Sequence, residues 1–318
     1  MTKSNDIAIA VTTLGTGAPV LDPNRFSQSI LVEAAGHQLL FDTGRGAVLR
    51  LVQAGVKPAS VGQLFFTHYH SDHTVGFADF WLSSWLPAGG GRKSSLTVSG
   101  PTGVEALIEG HRLAFADDIS IRTADQNLPR EGTEINVRSF DKSGVVFDKD
   151  GVVVTSFDSN HGEKIKPNWG YKIQYDGKTV VISGDTKFDP MVANMAKEVD
   201  LLLHSFGAAR EGLLSNPDVA GILQHHTSPV EAGEIFAIAQ PKLAVLIHMV
   251  LLGRPGYPPL KPDEVLALMR ESYQGPVVVA EDLMRFEVGD HISVIPVSYT
   301  HLRAHETLRY LVCRLLLE

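Results

Sequence analysis

The sequence predicts an α/β fold, and three observations carry that expectation. Short apolar, β-branched runs recur along the chain at strand length. They cover residues 7–13, 27–33, 37–41, 64–66, 96–99, 178–182, 199–203 and 242–247, with a further strand from 152. Between them lie stretches with apolar residues at helical spacing, at 77–86, 103–115, 229–239 and 262–272. At 318 residues and 44% hydrophobic content the chain can bury a large core, as one big domain or two small ones. Residues 1–297 read as one domain and 298–318 as an atypical tail.

Taken in order, the strand at 7–13 runs into Gly15-Thr16-Gly17. No Gly-Lys-Ser/Thr follows and no GxGxxG is complete, so a tight turn is a better reading than a phosphate loop. Ala35-Gly36 and Asp176-Gly177 each mark a hairpin. Trp81 and Trp85 are four apart on one helical face, where packing is favoured over stacking on a substrate. Pro87-Ala88-Gly89-Gly90-Gly91 ends that helix in a surface loop, and His111 reads as a surface residue. Residues 116–152 are the least regular stretch, read as short strands and charged turns. Pro229 opens the helix at 229–239. The tail holds a Leu/Arg-rich run that resembles translated adapter read-through. Its His301, His305 and Cys313 fit no zinc spacing.

The chemistry concentrates in His68-Tyr69-His70-Ser71-Asp72-His73. Three imidazoles and a carboxylate follow the apolar run Leu64-Phe65-Phe66 and precede a helix, so they sit on a strand-to-helix loop. His68 and His70 point the same way on strand-like backbone, because side chains alternate. Imidazole nitrogen and carboxylate oxygen suit a borderline metal such as zinc. The bland alternative is surface histidines clustered by accident, which should happen on the order of once in a thousand such chains.

Other classes are disfavoured. The net charge of −8 and the lack of a long basic run argue against a nucleic-acid partner, without excluding a local patch. The single cysteine excludes an internal disulfide. No apolar stretch approaches the roughly 20 residues of a membrane span, and no signal-peptide core follows the polar first residues. A cytoplasmic protein without membrane contact is the expectation.

His-x-His-x-Asp-His resembles the signature of the metallo-β-lactamase superfamily. Thr13-Leu14-Gly15-Thr16-Gly17, Leu40-Phe41-Asp42-Thr43-Gly44, Phe66-Thr67-His68 and Ser183-Gly184-Asp185-Thr186 are similar to its ribonuclease Z and arylsulfatase-like branch. The resemblance runs from about residue 7 to about residue 294. It implies a four-layer αββα sandwich, with two mixed β-sheets flanked by helices. It also implies two metal sites: His68, His70 and His161 in one, Asp72, His73 and His248 in the other, with Asp185 bridging. Asp42 would orient a ligand from behind, or cap a following helix.

In such a centre two cations share a water whose pKa falls toward about 7, and the hydroxide attacks an ester. Zinc is expected first, and manganese or iron would accept the same ligands. Asp72 would ligate and orient the nucleophile, and His226 would hydrogen-bond or protonate the leaving oxygen. His226 matches the family's functional histidine, although His225 would substitute if the loop were shifted. Where the family has His-Glu, this chain has His204-Ser205, and a hydroxyl cannot hold charge near neutral pH, so the usual proton relay is incomplete. The chain also lacks the Gly/Pro-rich basic insertion by which ribonucleases Z grip tRNA. The expectation is therefore a dinuclear hydrolase of a small phosphodiester, sulfate ester or other small ester. A tRNA 3′-processing endoribonuclease is the alternative, and a non-hydrolytic metal or redox protein comes third. The resemblance also implies a possible homodimer.

Overall fold

Strands that are apolar on both faces need cover on both sides, and the arrangement of this chain follows from that requirement. The computed structural model describes residues 7–296. The calls on residues 298–318, with His301, His305 and Cys313, lie outside the described residues.

In chain order the strands are β1 (Ile9–Gly15), β2 (Ser29–Ala34), β3 (His37–Phe41), β4 (Gln63–Phe65), β5 (Leu96–Pro101), β6 (Ile135–Phe140), β7 (Gly144–Lys149), β8 (Val152–Asp158), β9 (Trp169–Tyr175), β10 (Lys178–Ile182), β11 (Leu201–Ala209), β12 (Leu243–Leu252), β13 (Val277–Val279), β14 (Met284–Val288) and β15 (Ile292–Ile295). The helices are α1 (Ala47–Gln53), α2 (Ser71–Thr74), α3 (Phe77–Trp85), α4 (Val104–Ala114), α5 (Ala116–Gln126), α6 (Pro190–Met195), α7 (Pro217–Leu223), α8 (Pro229–Ala239) and α9 (Pro262–Met269). One sheet has the order β15-β14-β1-β2-β3-β4-β5-β6, the other β13-β12-β11-β10-β9-β8-β7. Both are mixed. β3 through β6 pair in parallel, as do β10 through β13, and the remaining ladders are antiparallel.

The alternation of side chains builds the layers. Leu39 and Phe41 face the second sheet and meet Tyr171, Ile182 and Val245, while Leu40 faces outward onto α1 and α3. In the second sheet Leu201 and Leu203 point between the sheets, and Leu202 points out to α6, α8 and α9. The result is the four-layer sandwich. Trp81 and Trp85 are each 1% exposed in the outer layer and donate their indole N–H to the carbonyls of Thr133 and Pro129, so they are core residues.

Both hairpins form at Ala35-Gly36 and Asp176-Gly177, with positive φ at all four residues, the signature of a primed turn. Gly17 bridges to Ser27 and Met249, and the Thr16 N–H and hydroxyl bind Asp282, so this turn joins strands. Three expectations are corrected. The stretch 116–152 contains α5 as well as β6 and β7. Only Ile119 of α5 is buried, so the helix carries almost no apolar stripe and rests on an acidic first turn and the Arg122–Asp118 pair. His111 is half-buried, with its ring 5.0 Å from Phe77. Finally, β11 and β12 run well past Leu203 and Ile247, so His204, Ser205 and His248 lie within strands rather than at their ends.

Candidate metal centre

Parallel strands aim their carboxyl ends at one edge of a sheet, and loops leaving that edge can converge. β3 delivers Asp42, β4 delivers His68 through His73, and β10 delivers Asp185. His161 comes from the loop after β8. His248 arrives differently. The β11–β12 register shifts between Ser205 and Phe206, which pair with Ile247 and Met249, so His248 is an extra residue on its strand. It holds φ 45° in the left-handed region, and this bulge takes it out of the ladder and into the site. Asp42, at φ 58°, and Gly184, at φ 64°, adopt the same region beside it.

All seven predicted ligand residues meet there. His68, His70, His161 and Asp185 present donor atoms within 4.8 Å of one another, and so do Asp72, His73 and His248. Asp185 Oδ2 stands between the groups, 3.5 Å from His73 Nε2 and 3.7 Å from His161 Nε2. His73 Nε2 is 3.2 Å from His248 Nε2 and 3.7 Å from Asp72 Oδ2, and the last two are 3.0 Å apart. A tetrahedral zinc with bonds of about 2.05 Å spaces its donors roughly 3.3 Å apart, so these edges fit such an ion. His70 is exposed and marks the mouth; the other six residues are buried.

A second layer turns the rings. His73 Nδ1 faces Asp42 Oδ2 at 2.8 Å, and His161 Nδ1 faces the His225 carbonyl at 2.9 Å. His68 Nδ1 meets Thr67 Oγ1 at 3.0 Å, and that hydroxyl donates to Asp42 Oδ2. Each acceptor draws the proton to Nδ1 and leaves the Nε2 lone pair for the centre. His161 Nε2 and Asp185 Oδ1 are buried without a hydrogen-bond partner. Orphaned polar atoms cost about 1–3 kcal/mol each, and a cation would satisfy them. The donor set fits divalent metal ions.

Charge agrees. Burial holds His68 well below its ordinary pKa and His161 at about 4, keeping both neutral as ligands must be. For His73 burial is outweighed by Asp185, Asp72 and Asp42, which lift it well above the usual value, so a cation bound there would displace its proton. Burial would raise Asp185 and Asp72, but the surrounding imidazoles, His248 and His73 for Asp185 and His73 first for Asp72, hold both carboxyls low. Buried carboxylates of this kind need positive charge beside them.

The remaining predicted residues are placed as follows. Asp42 caps no helix: α1 begins after Gly46, and Asp42 also accepts from the Thr67 N–H at 2.8 Å. Ser205 is fully buried, with its hydroxyl 3.3 Å from the Thr186 N–H. His226 lies at the centre, its ring 5.1 Å from His161 and 5.8 Å from His248. His225 stands behind, packed on Gly162, and contributes its carbonyl. The Ser228 side chain and Glu231 form a capping box that fixes this loop at the start of α8. Sequence reasoning missed Thr67 as a support, although it sits inside a quoted motif. It also missed Asn168, whose amide donates to the Asp185 carbonyl at 2.8 Å and which had no local signal.

The family description "Beta-lactamase superfamily domain" matches residues 37–249. A ribonuclease Z of Mycobacterium marinum is 32% identical over 286 residues, covering 88% of this chain and 99% of that protein. One from Mycobacterium bovis is 30% identical, covering 88% and 98%. Among solved structures, the metallo-β-lactamase fold protein YhfI of Bacillus subtilis superposes with a TM-score of 0.66 at 19% identity, over 88% of this chain and 99% of that one. The short form of human tRNase Z gives 0.61 at 22%, over 87% and 98%. These two structures share the fold. No helix among the described residues is long and apolar enough to cross a membrane. With the seven-residue cluster in place and relatives matched end to end, the chain belongs to the metallo-β-lactamase superfamily, in its ribonuclease Z branch, and is a metal-dependent hydrolase.

Proposed function

We propose that this protein is a ribonuclease Z-type endoribonuclease that cleaves a phosphodiester at the 3′ side of a tRNA precursor. The observation that carries the reading is 32% identity to a ribonuclease Z over an alignment covering 99% of that protein, supported by the clustering of the seven residues expected as ligands. This reverses the order expected from composition, where net charge placed a small ester first. The arylsulfatase side of the resemblance finds no support among the relatives named above.

His68, His70 and His161 would hold one divalent ion, and Asp72, His73 and His248 the other, with Asp185 between them. Two such ions, zinc first, would supply an ionised water near neutral pH and neutralise charge on the phosphoryl oxygen. Asp42, Thr67 and the His225 carbonyl keep three rings turned with Nδ1 outward. Asp72 orients the attacking oxygen. His226 offers a ring N–H to the departing oxygen, and its place beside His161 and His248 supports that role. Leu49 and Val52, 57% and 56% exposed on α1, would suit a homodimer contact.

The net charge of −8 favours a second reading, hydrolysis of a small phosphodiester. Zinc-reconstituted protein given a 3′-extended tRNA precursor and bis-p-nitrophenyl phosphate separates the two. The proposal expects a kcat/KM on the precursor at least 100-fold the higher. Turnover of the small diester alone would move the assignment to the second reading, and turnover of neither would reject both.

A further inference from the structure

We infer that the turn Arg254-Pro255-Gly256-Tyr257 is a contact point for the RNA strand, with the Arg254 guanidinium on a phosphate and the Tyr257 ring against a base. The inference rests on the reading of the substrate as RNA and names where that strand is held. A chain of net charge −8 must draw a polyanion to its centre through local contacts. This turn has the build of one. Arg254 and Tyr257 exchange both backbone hydrogen bonds, at 2.9 and 2.8 Å. Between them Pro255 and Gly256, the latter at φ 83°, fill the positions that a type II turn favours. Residues paired in this way leave the same face, with Cβ atoms about 5 Å apart. A cation and an aromatic ring are thus presented side by side.

The tip is braced from behind and open in front. A Cβ on Gly212 would run into the Tyr257 ring, so the ring rests on that backbone, yet the residue stays 43% exposed. Gly253 packs against Pro259 at the base of the turn. Arg210, just after β11, donates Nε to the Pro258 carbonyl at 2.8 Å and makes a two-pronged pair with Glu264 of α9 at 2.9 and 3.1 Å. Arg210 is thereby occupied within the fold. Arg254 is exposed, and among the described residues it forms no ion pair, its guanidinium bonding only the neighbouring Gly253 carbonyl. A guanidinium suits a phosphate, and a ring stacks on any base, so the pair can hold a strand without reading its sequence. The place agrees. β12 carries His248 into the metal centre and runs on to Leu252. Arg254 follows His248 by six residues, a reach of at most about 22 Å. That is roughly six steps of a helical strand at about 3.4 Å each.

Zinc-loaded protein is titrated, at several salt concentrations, with a 3′-extended tRNA precursor whose scissile phosphodiester is replaced by a non-hydrolysable phosphonate. Tyr257→Leu should weaken binding about 5–100-fold, and Tyr257→Phe roughly twofold at most, since the ring is what stacks. Arg254→Gln should weaken it and flatten the slope of log Kd against log salt by about 0.7–0.9, the share of one phosphate, whereas Arg254→Lys keeps the slope. Tm and zinc content equal to the parent's show that a loss of binding is not a loss of fold. Should Tyr257→Leu disturb the loop, the two exposed arginine variants still decide. Kd values and salt slopes superimposable on the parent's would overturn the inference, whatever the parent cleaves. A parent that binds the precursor through these residues yet cleaves no RNA would fail the substrate proposal alone.

Discussion

At the scale of single residues, the site depends on atoms that never touch the centre. Asp42 accepts from Thr67 twice and from His73, and so sets the direction of two candidate ligands, His73 directly and His68 through the threonine hydroxyl. Asp42→Ala should weaken metal binding by about 10–100-fold and lower activity in step, read by chelator competition and kcat/KM. Affinity equal to the parent would remove Asp42 from the support. His204 makes a different prediction. It is fully buried on the outer face of β11 against Phe236, with Nδ1 bonded to the Ser205 carbonyl and Nε2 unpartnered. Burial lowers its pKa from 6.5 to about 4. The unfolded chain takes up that proton first, so the contribution is fully present above pH 6.5 and is lost as pH falls toward 4, by at most about 3 kcal/mol. His204→Phe should flatten this part of the acid-unfolding profile of the metal-free protein, and an unchanged slope would contradict the assignment.

Among the elements, legibility followed apolar pattern. α3, α4 and α8 were readable within a residue or two because each buries a stripe. α5 was not, since one buried isoleucine leaves no period to see. The ends of β11 and β12 were also missed. Of their extensions, Phe206, Ala208 and Met249 join the outer core, while Ala209, Val250 and Leu252 pack with Leu213 and Val219 in a small cluster that only tertiary contact creates. The turn before Asp185 is constrained both in dihedral and in space. Gly184 has φ 64°, and a Cβ there would sit 2.5 Å from the Trp169 carbonyl oxygen. Gly184→Ala should displace Asp185, cost about 1–3 kcal/mol, and appear as a Tm lowered by several degrees with weakened metal binding. A variant with parental Tm and metal content would show that the turn absorbs the methyl.

For the molecule as a whole, the seven donors tie the two sheets together at one end. His68 through His73 come from the first sheet, and His161, Asp185 and His248 from the second. A cation bound there is a cross-link between layers. Free metal at 1,000 times its Kd would add about 4.1 kcal/mol to stability. Chelator should therefore lower Tm by several degrees, reversibly on adding zinc, and a Tm indifferent to chelator would mean the layers do not need the ions.

What the amino-acid sequence determined by itself was the chemistry within reach of one loop. The spacing of His68, His70, Asp72 and His73 is local, and the apolar runs around them announce strand and helix without any partner. Distant members such as His161, Asp185 and His248 could be matched only through resemblance, because nothing near them in the chain marks them as ligands. Tertiary structure decided the rest. It put His226 rather than His225 at the centre, turned His248 inward by a bulge, and made Asp42 a support instead of a helix cap. Those outcomes hang on strand register, and register is set by both sheets packing against each other, which no stretch of sequence contains alone.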